Sequence, residues 1–167
     1  MRPMIEAKHH ALLEEAQRRG HSNVALLRLC FQLLSLSSAI DHDCASRLAP
    51  HGLSEGRFIV LFLLHGAGGT LPPHALAERA GVTRATISGL LDGLQREGLL
   101  QRRGDAEDGR RLQIVLTAQG RRLAEAVFEQ HTQWIGGLFD GLDASEQQQL
   151  SQLLHKVWLH TDAGRGA

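Results

Sequence analysis

Apolar residues recur at three- and four-residue steps along most of this chain, which is the period of an α-helix. Between Val24 and Leu48 the residues Leu26, Leu29, Cys30, Leu33, Ser37, Ile40, Cys44 and Leu48 fall on one stripe. The spacing predicts a helix of about 25 residues, about 37 Å long. That is long for a compact domain of this size and implies a helix shared with a second subunit. Before it, Met1 to Gly20 predicts a short polar helix stopped by Gly20. After it, "APHG" (Ala49 to Gly52) is a break. Ser54 is placed to cap the next helix, which carries "RFIVLFLL" to His65. Apolar nearly all round, that helix belongs at the buried centre of the domain. "GAGGT" (Gly66 to Thr70) predicts a turn, and Leu71 a short strand. Pro72 and Pro73 suit the first turn of a helix that runs to Ala80.

The period then changes. "LLQRR" (Leu99 to Arg103) and "RLQIVLT" (Arg111 to Thr117) read as two strands of a hairpin, with Leu112, Ile114 and Leu116 alternating as a half-buried strand requires. Thr117 is a cap for a helix that runs to about Leu138, with Leu123, Val127, Trp134, Ile135 and Leu138 apolar. Asp143 with Glu146 three residues later is a capping-box start. Leu150, Leu153, Leu154, Val157 and Trp158 form one stripe after it. The expected fold class is mainly α with a small β-hairpin.

Between the central helix and the hairpin, Ala77, Gly81 and Ile87 stand at offsets of zero, four and ten. A small Ala lets two helices cross closely, Gly81 permits a positive φ in a tight turn, and Ile87 packs back into their angle. This is the helix-turn-helix spacing. The second helix starts after Thr83, a good N-cap, and buries Val82, Ile87, Leu90, Leu91 and Leu94. Its other face shows Arg84, Thr86, Ser88, Gly89 and Asp92. Short hydrogen-bonding side chains, one arginine and a positive dipole end are what a helix entering a major groove needs. A plain helical hairpin with a solvated polar face has the same pattern.

The hairpin weighs toward nucleic acid. Its tip is "GDAEDGRR", in which Asp105 and Asp108 are placed to bond backbone amides and Asp108 to hold an arginine. Arg110 then projects from the tip, and one arginine on a rigid projection suits a narrow minor groove. From Arg79 to Arg122 there are nine arginines against five acidic residues, in a chain whose formal net charge is zero.

Taken together, "LAERAGVTRATISGLLDGLQREGLLQRRGDAEDGRRLQIVLTAQG" resembles the MarR family of bacterial transcription regulators, and the flanking helices and "GLSEGRFIVL" fit the same pattern. The resemblance covers roughly Val24 to His160. Gly109, where the family often has a basic residue, and Ala106, often Pro, are departures. The resemblance implies a winged helix-turn-helix domain over 53–117. It implies a helical dimerisation region made from the N-terminal helices (1–48) and the C-terminal helices (118–167). The expected partners are a second copy of the chain, a pseudo-palindromic double-stranded DNA operator and a small-molecule effector. The protein is then a regulator, a repressor by expectation, and not an enzyme. DNA contacts are expected from Thr83, Arg84, Thr86, Ser88, Gly89, Arg103, Asp108 and Arg110.

Composition removes several other classes. Only Lys8 and Lys156 are lysines among 18 cationic residues. The absence of tyrosine and the low aromatic content, 4%, leave no aromatic platform for single-stranded nucleic acid. No nucleophile elbow or phosphate loop is present. The charged N-terminus is no signal peptide, and "FIVLFLL" (Phe58 to Leu64) is too short to span a bilayer. A cytoplasmic protein with no membrane partner is expected. A winged helix serving only as a protein-interaction module stays as an alternative, although such a face usually shows aromatic anchors.

Three kinds of signal are known in the family. Thiol sensing has Cys30 and Cys44 as its candidates, about 21 Å apart along one helix and so unable to bridge within a chain. The tyrosines that accompany the family's peroxide-sensing cysteines are missing. Metal sensing is disfavoured, because the four residues of "DHDC" (Asp41 to Cys44) diverge around a helix, and no metal or cofactor is expected. For an effector pocket, polar residues on an otherwise apolar wall are the signature, and Ser35, Ser38, His42 and Arg57 qualify. Arg57 stands at the start of a buried helix whose N-terminus favours anions, so an anionic or phenolic ligand is expected.

Overall fold

The computed structural model describes residues 5–104 and 112–166. Its elements run α1 (Ala7–Arg18), α2 (Val24–Leu48), α3 (Glu55–Gly66), β1 (Thr70–Leu71), α4 (Pro73–Ala80), α5 (Arg84–Arg96), β2 (Leu100–Gly104) and β3 (Leu112–Leu116). They continue with α6 (Ala118–Gly137), α7 (Ala144–Trp158) and a short α8 (Asp162–Arg165). The chain divides into two compact units between Ala124 and Glu125.

Local chemistry sets the ends of these elements. Ser54 accepts the Arg57 N–H at the start of α3. Thr83 does the same for the Thr86 N–H at the start of α5, at 3.1 Å. Asp143 and Glu146 exchange both bonds of a capping box, each 2.9 Å, at the start of α7. Thr117 joins β3 to α6. Its hydroxyl donates to the Gly98 carbonyl at 2.7 Å and accepts the Gly120 N–H at 3.0 Å. Each such cap satisfies an amide that a helix start leaves without a partner.

In the first unit the core is built around α3. Val60, Leu61 and Leu64 are fully buried, together with Leu76 of α4, Leu91 and Leu94 of α5, and Ile114 of β3. The sheet is antiparallel with β3 in the centre, in the order β1-β3-β2. Leu71 stands opposite Ile114, and Leu100 opposite Leu116. The predicted alternation holds for Ile114 and Leu116, but Leu112 is exposed. The reason is the length of β1, whose two residues pair only with Val115 and Ile114. Leu112, opposite Gly104, extends past that cover.

Two helices carry large apolar residues that are exposed. On α2 only Ser35 and Leu48 are buried, while Leu26 and Leu29 are 67% and 57% exposed. No residue of α7 is buried, and Leu153, Leu154, Val157 and Trp158 are about half exposed. By length and composition alone the helical stretch Val24–His51 could also cross a membrane.

Candidate nucleic-acid interface

The helix pair α4–α5 has the geometry its spacing predicts. Gly81 adopts φ +64° between the helices, a conformation that costs an ordinary residue energy and glycine none. Its amide bonds to the Glu78 carbonyl, and Val82 N–H to the Ala77 carbonyl at 3.0 Å. Ala77 and Ile87 are buried at the crossing.

This frame leaves the first half of α5 open. Thr83, Arg84, Thr86, Ser88 and Gly89 are all exposed. Thr86 Oγ1 lies 2.9 Å from Thr83 Oγ1, and Ser88 Oγ donates to the Arg84 carbonyl at 2.9 Å. Both hydroxyls are thereby oriented and keep capacity for an outside partner. Arg84 makes no ion pair among the described residues. Beside it opens a cleft of about 870 Å³ whose walls include Pro72, Pro73 and His74 at the start of α4, Arg84 and Ser88 of α5, and Gln113 of β3. His74 and Gln113 escaped the reading from sequence. A histidine directly after two helix-starting prolines was the available signal for the first.

The second half of α5 is occupied differently. Arg102 of β2 donates from Nη2 to Asp92 Oδ1 and from Nη1 to Gln95 Oε1, both at 2.6 Å. Asp92, assigned from sequence to the open face, is therefore engaged by the sheet. The pair fixes β2, and so the base of the wing, against the recognition helix. Arg103 is exposed on the same strand, and with the Gln101 amide turned so that its oxygen faces the guanidinium, Nε and Nη2 donate to that oxygen at 3.1 and 2.7 Å. Asp105, Asp108 and Arg110, and with them the tip of the wing, lie outside the described residues.

Gly89 is a sensitive point of this face. A methyl group there would meet no atom within 4 Å, so Gly89→Ala should stabilise the fold by about 0.5–1 kcal/mol through helix propensity. The same methyl stands where a groove floor would approach. The expected outcome is a higher melting temperature in calorimetry with weaker duplex binding. Tighter binding in the more stable variant would remove Gly89 from the interface.

The four residues proposed for an effector pocket are not gathered. Ser35 is buried and its hydroxyl accepts the Glu6 N–H at 3.4 Å, toward the start of α1. Ser38 and His42 are exposed on α2. Arg57 turns toward α5, donating to Glu97 Oε1 at 2.5 Å and to the Gly52 carbonyl at 2.9 Å. Of the two thiols Cys30 is exposed. Cys44 is half-buried, and desolvation, reinforced by the charges of Glu55 and Asp41, pushes its thiol up from the usual range. Among the described residues no group of three His, Cys, Asp or Glu side chains is placed to hold a metal ion.

Comparison with known proteins places this architecture. The model of the MarR family matches residues 51–111. The HTH-type transcriptional repressor YetL of Bacillus subtilis is 34% identical over 148 residues, which is 88% of this chain and 89% of that protein. This chain belongs to the MarR family. Its fold is therefore the winged helix-turn-helix, with α4–α5 as the helix pair and β2–β3 as the wing, and it is a DNA-binding regulator of transcription. The MepR–DNA complex of S. aureus is similar, with a TM-score of 0.64 at 27% identity, over 75% of this chain and 91% of that one. So is NadR in complex with 4-hydroxyphenylacetate, with a TM-score of 0.58 at 26% identity, over 75% and 88%. Family members of this kind are regulators and not enzymes.

Proposed function

We propose that this MarR-family protein is a homodimeric repressor that binds a pseudo-palindromic operator and leaves it when a small anionic or phenolic effector binds. The observation that carries the DNA part is the open first half of α5. The capped helix start presents oriented hydroxyls, and Arg84, without an ion pair among the described residues, borders one cleft together with Ser88. Each recognition helix then enters the major groove of one half-site, with the wings in the flanking minor grooves. Thr83, Arg84, Thr86, Ser88 and Gly89 contact DNA from the helix, and Arg103, Asp108 and Arg110 from the wing. MepR was solved with DNA, which supports this reading.

The dimer reading assigns 1–48 and 118–167 to the subunit interface and 53–117 to DNA. It rests on the uncovered leucines of α2 and the uncovered stripe of α7, larger apolar surfaces than a soluble monomer ordinarily shows. It also gives the apolar stretch Val24–His51 an occupant other than lipid, in keeping with a protein that works on cytoplasmic DNA.

For the effector, NadR with its bound 4-hydroxyphenylacetate supports the phenolic class. Ser38 and His42 are the two wall residues with exposed side chains, whereas Ser35 and Arg57 already have partners. The effector acts by binding the DNA-incompetent arrangement more tightly, and a coupling of about 1–3 kcal/mol lowers DNA affinity about 5–150-fold. Duplex binding measured against salt concentration tests the whole reading, and wild-type protein without salt-sensitive binding would sink it.

Oxidation is not the expected signal. Burial, with the charges of Glu55 and Asp41, pushes the Cys44 thiol up, which weakens it as a nucleophile, and the chain has no tyrosine to stand beside either cysteine. Peroxide should leave wild type and the Cys30→Ser, Cys44→Ser double variant equally bound to a duplex. Release of the wild type alone would make the protein a thiol sensor.

A further inference from the structure

Arg57 fills a place that neither the helix pair nor the wing explains. It stands in the first turn of α3, and its guanidinium reaches two other elements at once. Nη1 donates to the carbonyl of Gly52, which closes the α2–α3 joint at φ +68°. Nη2 donates to Glu97, the C-cap of the recognition helix α5, at 2.5 Å across 40 residues of sequence. The side chain is 19% exposed, so the pair is only partly open to water.

Space for this arrangement is made at Gly93. A Cβ on Gly93 of α5 would lie 2.8 Å from Arg57 Nη2 and 3.4 Å from its Cζ and Nε. The guanidinium therefore occupies the place a side chain at Gly93 would take, one turn before Glu97. A Cβ on Gly56, next to Arg57, would lie 3.4 Å from both methyls of Leu90. α3 thus meets α5 at Leu90 and Gly93, and Arg57 links that contact to Gly52, beyond the end of α2.

We infer that Arg57 and Glu97 form a clamp that sets the angle of the recognition helix relative to the α2–α3 joint. They are positioning residues for DNA selection, not effector ligands. The inference rests on the dimeric reading above. In a dimer the angle at which α5 leaves this joint sets the distance between the two recognition helices. That distance selects the separation of half-sites along the DNA. A rigid fork suits the task, because a planar guanidinium holds two acceptors in fixed directions where an ammonium does not. The clamp closes near the far end of α5 from Arg84, so its loss tilts the groove-entering end without removing any DNA-facing side chain.

The experiment selects the tightest duplex for wild type from a random pool. Binding is then measured to that duplex and to versions with one base pair added or removed between the half-sites. Wild type should lose about tenfold or more per altered base pair, a value inside the usual range of coupling energies. Glu97→Gln is half-exposed and should stay folded by circular dichroism. It should lose only a few-fold on the selected duplex and discriminate spacing about threefold or less. Arg57→Lys, which keeps the charge without the fork, should fall between the two. A merely structural role would lower stability or overall affinity and leave spacing discrimination intact. Glu97→Gln discriminating as wild type does, while folded, overturns the clamp alone. Failure of wild type to select any duplex overturns the DNA reading and the clamp with it.

Discussion

Leu154→Glu combined with Trp158→Glu should give a folded monomer that no longer retains an operator duplex. Both side chains are about half exposed in a stripe of α7 that holds no buried residue, so the substitutions touch no fully buried position of the isolated chain. In a dimer that buries the exposed half of each side chain, each one lost forfeits about 1 kcal/mol of apolar burial. The carboxylates add a desolvation penalty on top. Loss of the second subunit then removes the second half-site contact, which no longer forms at high effective concentration. Linked sites of this kind gain about 10²–10⁴ in avidity, and the variant should lose an amount of that order. Light scattering and duplex titration read the two effects. A double variant that stays dimeric shows that α7 is not the interface.

Elements written by local rules were legible in the chain. Ser54, Thr83, Thr117 and the Asp143–Glu146 pair cap helices where the residue types say they should, because capping depends on neighbours within three residues. Ala77, Gly81 and Ile87 gave the helix pair, since that packing depends on one short turn. Legibility ended where two distant segments meet. Nothing in the spacing of Arg57 and Glu97, or of Arg102 and Asp92, announces a pair. Each depends on the angle at which an element crosses α5. A polar residue on an apolar helix therefore looked the same whether it served a ligand or a neighbour, and Arg57 was read as a ligand residue when its donors already had acceptors. Leu112 misled in the opposite direction. Its alternation was correct for a strand, but the two-residue β1 stops short of covering it.

Arg84→Ala should weaken operator binding by about 1–3 kcal/mol, and the pattern of the loss should reveal what the arginine touches. Arg84 is the first residue of α5, set by the Thr83 cap at the positive end of the helix dipole. It shares its cleft with His74 and Gln113. From that corner the guanidinium has two possible partners. A bidentate bond to a guanine edge would concentrate the loss at one position of the half-site, and operators altered at that base pair would bind wild type and variant alike. A phosphate bond would instead weaken all operators about equally and lower the slope of log affinity against log salt by about one unit. The surroundings favour the phosphate. The cleft joins α5 to the start of α4 and to β3, the strand that leads out of the wing. A backbone running from the major groove at α5 to the minor groove at the wing passes along that line. A uniform loss with a reduced salt slope is therefore the expected result, and a loss confined to one base pair would move Arg84 from the backbone to the code.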